Sequence, residues 1–388
     1  MTFAAILSAS RPSGDPSASP RAGLVFAGQT LVEYQARQAA RAGADRILIL
    51  VGVVTPALSQ AVDRLSADGI PVGLVRDMVS MLRDAPRDSD VLLVADGAAI
   101  AQQHFQAMAQ TDGNALLVVD DSRASAPFER IDAGQRWAGL ARVSPELLFG
   151  TLDMVGDWDL ALTLVRGTVQ AGARRITVPQ DDLLEGRVVL VETQEQAELA
   201  QMSVVGTTRG DVRGGGLDHY LLAPLARLAG ASLMRLQVPA MQMRVLSILL
   251  AAVALVPIEL RWTAMGFAIL FVSLLSLAIA DRLDQLALRP PARGWAALTT
   301  PVLALVGLVL AAPGMQTICV ALLLGLLMLA GRWGRAAHVR PWMVLTLSAS
   351  TLLLWLAAML GRLDAGLDLL LLLAIGSVGA IILRRERN

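Results

Sequence analysis

The chain has 388 residues, no net formal charge, a hydrophobic fraction of 55% and a mean hydropathy of +0.56. At ~150 residues per domain this length accommodates two or three domains; the composition is too apolar for an ordinary soluble protein, and the charge balance supplies no basic field for nucleic acid. Every basic residue is arginine, which excludes lysine chemistry, and the lone Cys319 excludes an intrachain disulfide and a zinc site built on cysteines. Cys319 reads as a small packing residue, and His104, His219 and His338 are too far apart to suggest ligand spacing.

The first residues lack a basic segment, and their apolar stretch is too short for a secretory leader, so they read as a strand opening a cytoplasmic domain. Strands and helices then alternate. Phe3–Ala9 is a strand, Leu31–Ala42 a helix closed by Gly43, Arg46–Val51 a strand and Pro56–Ala67 a helix. Pro71–Val75 is a strand, Met78–Arg83 a short helix, and Val91–Ala95 a strand ending at Asp96-Gly97. Ala115–Val119 ends at Asp120-Asp121, Gly139–Val143 is a further strand, and Asp157–Ala171 is a helix closed by Gly172. This alternation predicts an α/β domain of Rossmann-like type with a mostly parallel sheet. Ligands of such sheets bind beyond the carboxyl ends of the strands, which singles out Ser8–Gly23, Asp96 and Asp120-Asp121. The Ser/Pro/Gly-rich segment Ser10–Arg21 can wrap phosphates with backbone N–H groups or serve as a surface loop. It lacks the Gly-Lys-Ser/Thr ending of a Walker A loop.

Leu217–Leu236 places apolar residues among Arg227 and Arg235, as in an amphipathic helix lying on the cytoplasmic membrane surface or a linker helix packed on the soluble domain. Six apolar segments follow: Val245–Leu260, Ala264–Ala280, Trp295–Ala312, Met315–Ala330, Trp342–Leu360 and Leu367–Leu383. They lie near the lower limit of the ~17–25 residues that span a bilayer and predict an all-α six-helix transmembrane domain. Arginines gather on Asp281–Gly294, Gly331–Pro341 and the C-terminal tail, while the alternate links hold only Arg261 and Arg362. Both termini are therefore expected in the cytoplasm and the protein in the inner membrane. Trp262, Trp295, Trp333 and Trp342 stand at segment ends, as interfacial aromatics do. The expected division is an α/β domain over 1–200, a linker and interfacial helix over 201–240, and a membrane domain over 241–388.

Ala4–Ala9, Ala27–Tyr34, the passage through Ala42-Gly43-Ala44 into Arg46–Val51, and Val91–Gly97 together resemble the sugar-nucleotidyltransferases over residues 2–180. The resemblance implies that Asp96 stands where that family binds its catalytic metal, with Arg11 and Arg21 as phosphate contacts. The family loop reads roughly Gly-x-Gly-x-Arg followed by Pro-Lys; here it holds only Gly14 and Gly23. An arginine fork is no equivalent of the lysine point charge.

The membrane half resembles the CDP-alcohol phosphotransferases, six-helix enzymes that carry the motif Asp-x2-Asp-Gly-x2-Ala-Arg-x8-Gly-x3-Asp-x3-Asp. Some members carry a nucleotidyltransferase-like domain in front. Here the stretch begins Asp281-Arg282-Leu283-Asp284 and keeps Arg289, with Gln285 and Leu288 in place of Gly and Ala. Four residues separate Arg289 from Gly294, and Leu298 and Val302 stand where the third and fourth Asp belong. The resemblance implies Asp281 and Asp284 as ligands of Mg or Mn, Arg289 and Arg293 as phosphate contacts, a membrane lipid and a CDP-linked alcohol as substrates, and pairing through membrane helices into a homodimer or heterodimer. Half of the metal cage and the general base are missing. Two functions follow: a divergent CDP-alcohol phosphotransferase with lost or altered catalysis, making phospholipid or inositol/polyol-phosphate headgroups, or a catalytically silent partner subunit or nucleotide-ligand-binding membrane protein. A transporter or channel is a third, disfavoured by spans whose interiors hold little beyond Ser273, Ser276, Ser348, Ser350 and Ser377.

Overall fold

The computed structural model describes residues 3–15, 20–152, 159–206, 216, 218–235, 238–332 and 341–385. Asp157, Asp211, Leu217, Trp333, Arg335, His338, Arg340 and Arg387 lie outside the described residues. The chain divides into two compact units, Met1–Arg209 with Leu286–Arg289, and Gly210–Gln285 with Pro290–Asn388.

The first unit runs β1 (Phe3–Ala9), a hairpin of β2 (Val25–Phe26) and β3 (Gln29–Thr30), α1 (Leu31–Ala42), β4 (Ala44–Val51), α2 (Pro56–Ala67), β5 (Val72–Val75) and α3 (Met78–Asp84). It continues with β6 (Val91–Val94), β7 (Ala98–Ile100), α4 (Gln102–Ala109), β8 (Ala115–Asp120), β9 (Glu129–Arg130), β10 (Gln135–Val143) and α5 (Pro145–Leu152). α6 (Leu160–Gln170), β11 (Arg174–Thr177), α7 (Gln180–Leu184), β12 (Val188–Leu190) and α8 (Gln194–Gly206) complete it. The main sheet has the order β11-β8-β10-β6-β1-β4-β5, with β9 on β10. β1 pairs in parallel with β4 and β6, β4 with β5 and β11 with β8, whereas β10 runs antiparallel to both its neighbours. β1 is buried at every position, and since alternate residues face opposite sides, both faces of the sheet are covered there. A second ribbon, β7 with β12, was not legible in the residue pattern; its strands have only three residues each.

Local chemistry sets the bounds of α1. Thr30 and Glu33 form a reciprocal capping box at its start. Gly43 ends it at φ 108°, a left-handed conformation that costs glycine no Cβ clash. Glu33 is fully buried and also receives the Arg64 guanidinium at 2.8 Å through both Nε and Nη2. Burial pushes the Glu33 carboxyl up, but the Arg64 hydrogen bond and charge and the Thr30 bonds outweigh it and hold the pKa below the ordinary value.

The second unit begins with α9 (Asp218–Arg235), which buries Leu222, Ala223 and Ala226 and leaves Tyr220 and Leu228 exposed. Asp218 of this helix accepts a hydrogen bond from Thr346 within the second unit. Six apolar helices follow: α10 (Ala240–Glu259), α11 (Thr263–Leu286), α12 (Trp295–Ala311), α13 (Met315–Arg332), α14 (Leu347–Met359) and α15 (Leu363–Arg385). Among the described residues three are long and apolar enough to cross a membrane, Ala240–Glu259, Thr263–Leu286 and Leu363–Leu383; the other three segments are shorter. The largest departure from the expected spans is Trp342–Leu360. It is interrupted because the Thr346 hydroxyl accepts the Ala349 N–H and starts α14 there, while Leu345 N–H is taken by the Ser377 hydroxyl. Inside the unit Ser247 and Thr300 are hydrogen-bonded at 2.9 Å, and Ser273 donates to the Ser247 carbonyl, joining α10, α11 and α12.

Replacing Arg64 by Ala leaves the Glu33 carboxylate buried with only its Thr30 bonds. Its guanidinium is half exposed, so the expected loss is on the order of 3 kcal/mol, toward the low end for a broken buried pair. Because the Glu33 pKa is lowered on folding, the pair stabilises the parent above the unfolded-state pKa and is lost as pH falls through the folded one. Thermal denaturation of parent and Arg64→Ala should therefore differ at pH 7 and converge in acid.

Candidate functional site

At the carboxyl end of β6 the chain turns sharply at Asp96-Gly97. Gly97 has φ 77°, and a Cβ there would lie 2.5 Å from the Val191 carbonyl oxygen. That close approach lets Val191 N–H donate to the Gly97 carbonyl at 2.7 Å and brings Glu192, just beyond β12, to the same end of the sheet.

Asp96 is 94% buried, with 6% of its surface exposed. Its Oδ2 accepts the Arg11 backbone N–H at 2.6 Å, and its Oδ1 has no hydrogen-bond partner. Burial pushes the carboxyl up to about 6, against the Arg11 backbone bond and the nearby Arg21 charge. The Arg11 guanidinium pairs with Asp159 at 3.1 Å, and Arg21 pairs with Glu192 at 2.7 Å. Gly14 N–H donates to the Glu192 carbonyl and Gln194 N–H to the Asp15 carboxylate, which fastens the loop after β1 to the segment after β12. A cavity of about 40 Å³ beside Asp96 is lined by Ser8, Arg11, Glu129, Trp137 and Asp159 among others.

The structure thus brings together Arg11, Arg21 and Asp96, far apart in sequence. It adds Asp159 and Glu192, for which no spacing gave a signal. Asp121 does not join them: it is held by Arg130 and Arg136, whose hydrogen bonds, Arg136 first, keep its carboxyl below the ordinary range.

In the second unit Asp281 and Asp284 stand one helical turn apart on α11, and both meet Arg244 of α10. Arg244 Nη2 lies 2.7 Å from Asp281 Oδ1, and Nη1 lies 2.7 Å from Asp284 Oδ2. Arg244 and Asp284 are buried, and Arg244 Nε has no hydrogen-bond partner. Of the expected phosphate contacts, Arg289 donates to the Gly28 carbonyl at 2.7 Å within the first unit, and Arg293 is exposed. Leu298 and Val302 lie on α12, with Val302 exposed. No group of three or more His, Cys, Asp or Glu able to hold a metal occurs among the described residues. A cavity of about 310 Å³ in this unit is lined by Asp218, Asp281, Arg282 and Gln285 together with leucines of α11 and α13.

The fold and these sites define a membrane protein in which an α/β domain precedes an apolar helical region. A family model described as ABC-2 family transporter protein matches residues 191–280, which hold α8, α9, α10 and most of α11. No curated protein matches the chain. Among solved structures, it is similar to a nucleotidyl transferase from Methanothermobacter thermautotroptrophicus, at 17% identity and TM-score 0.37, over 53% of this chain and 99% of that one. It is also similar to CTP:phosphocholine cytidylyltransferase from Streptococcus pneumoniae, at 15% identity and TM-score 0.35, over 46% of this chain and 91% of that one.

The raised Asp96 pKa makes a checkable statement about stability. Between the unfolded-state pKa near ~3.9 and about 6 the folded chain binds more protons than the unfolded one, so stability falls as pH rises through that window. Asp96→Asn removes the cost of the buried charge. The variant should be more stable than the parent at pH 7.5, by on the order of 2–3 kcal/mol, and the gap should close toward pH 4 in a series of thermal melts.

Proposed function

We propose that this protein is a membrane-anchored binding protein assembled from the parts of a CDP-alcohol phosphotransferase, with metal-dependent phosphotransfer lost. The observation that carries this reading is Arg244 bridging Asp281 and Asp284. A dication at those carboxylates would lie beside a buried guanidinium already bonded to both, and like charges at such range repel. The facing positions Leu298 and Val302 offer no oxygen ligand and no base. Asp281 and Asp284 therefore fit an internal arginine and do not fit Mg or Mn, and Arg289 and Arg293 have no metal-bound pyrophosphate to complete.

The α/β domain keeps a more suitable place for a ligand. Asp96 presents a buried oxygen with no hydrogen-bond partner, Arg11 lines the cavity beside it, and the Arg21 charge, paired with Glu192, acts on it. This donor set fits a divalent cation carrying a nucleotide-type phosphate, with Asp96 as the cation's anchor and the two arginines on phosphate oxygens. The arginines would have to exchange Asp159 and Glu192 for those oxygens.

The test uses purified full-length protein in an Asp96→Asn background, which silences the α/β site. Magnesium, manganese and CDP-choline, alone or combined, should leave its melting temperature unchanged. Arg244→Ala in that background takes the guanidinium away from both carboxylates, so it should melt lower and regain stability in millimolar magnesium or manganese. Metal-dependent binding of CDP-choline that vanishes in Asp281→Ala or Asp284→Ala would sink the proposal.

The ABC-2 match over residues 191–280 favours a second reading, in which α9–α11 belong to a transport assembly driven by a separate ATP-hydrolysing subunit. It requires a stable complex with such a subunit, and purification of the chain alone in a fully ligand-responsive form counts against it.

A further inference from the structure

The 310 Å³ cavity of the second unit has a chemical asymmetry that the phosphotransferase motif does not account for. Its walls are mostly apolar, drawn from α9, α11, α12, α13 and the segment before α14. Leu274 and Leu277 stand on one side, and Leu324, Leu327 and Met328 on another. Asp218 sits at its polar end. The Thr346 hydroxyl donates to Asp218 Oδ1 at 2.6 Å, and Ser348 provides a second hydroxyl. Burial pushes the Asp218 carboxyl up against those two bonds.

A carboxyl that is mostly buried and met by neutral hydroxyls must keep a proton or receive a cation. Among the described residues the other charged groups lining the cavity are Asp281 and Arg282, and His219 adjoins Asp218 on α9 without lining it. Arg282 Nη1 donates to Gln285 on its own helix, and Asp281 is bonded to Arg244. Asp281 thus has its guanidinium, whereas among the described residues no arginine is paired with Asp218. A volume near the lower end of the ~300–1,000 Å³ typical of small-molecule pockets suits one apolar chain, not a two-chain lipid.

We propose that this cavity binds a single-chain cationic amphiphile, its protonated amine on Asp218 and its hydrocarbon along the leucines of α11 and α13. The ammonium donates to Asp218, and Thr346 and Ser348 hold that carboxylate in place. The amine contact is with Asp218, outside the Asp281–Val302 motif, although Asp281, Arg282 and Gln285 of that motif line the same cavity; the amine preference is therefore read separately from metal or CDP-alcohol binding.

The experiment compares dodecylamine, dodecanol and dodecanoate as stabilisers of the full chain in neutral maltoside micelles, reading an apparent Kd from the concentration dependence of the melting temperature. Dodecylamine should bind about tenfold or more tightly than the other two, as a hydrogen bond to a charged group requires. Asp218→Asn should remove that preference. Ala278→Trp, which fills the cavity from α11 without touching its charges, should abolish binding of all three and serves if Asp218→Asn does not fold. Equal binding of the three probes, a preference for dodecanoate, or an amine preference that survives both substitutions would overturn the proposal.

Discussion

A carboxylate removed from water needs a proton or a cation beside it, and in this chain, which has no lysine, that cation is chiefly arginine. Among the described residues the acids classed as buried are Glu33, Asp96, Asp182 and Asp284. Glu33 is held by Arg64, Asp182 by Arg187 and Asp284 by Arg244. Each pair ties together elements that the hydrophobic core alone would leave free to slide. Arg64 fixes α2 on the cap of α1, and Arg187 fastens the start of β12 to α7. Arg244 locks α10 to α11, where an apolar surface in lipid offers no driving force of its own. Breaking such a pair costs more than forming it gains, because the orphaned charge has nowhere to go.

The α/β pattern was legible because its strands are short apolar runs ended by turn residues and its helices carry 3.6-residue spacing with caps. Thr30 three residues before Glu33 and Gly43 after Ala42 mark α1 without any tertiary information. β10 was visible only in part, as Gly139–Val143, because Gln135 and Arg136 at its start read as loop although they pair with Asp120 and Val119. The membrane helices were legible by hydropathy, but a hydropathy window has no means to see that Thr346 caps a helix inside an apolar stretch. It drew Trp342–Leu360 as one segment where the chain makes a turn and then a shorter helix.

The sites divide along the same line. Asp96 was findable from strand-end logic, whereas Glu192 reaches it through one hydrogen bond, Val191 to Gly97, between segments nearly a hundred residues apart. Arg244 was findable and missed. α10 and α11 are joined by a tight turn at Arg261-Trp262, so residues equally distant from that turn lie at the same depth in the hairpin. Arg244 lies 17 residues before that turn and Asp281 19 residues after it, close enough for their side chains to meet. The motif alone singled out Asp281 and Asp284, and it carries no information about an arginine on the preceding helix.

Seen through charge neutralisation, the informative acids are those that arginine has not claimed. Asp96 is buried with a backbone N–H on one oxygen and nothing on the other. Asp218, in the other unit, is mostly buried against two hydroxyls. Both border cavities, whereas Glu33, Asp182 and Asp284 line neither of the two described above. A sequence rich in arginine could have met Asp96 and Asp218 with the same guanidinium it gives the others, at no penalty in folding. Leaving them unmatched costs stability that a proton or an incoming cation offsets. The acids that arginine neutralises join elements of the fold, and the two it leaves are those that border cavities.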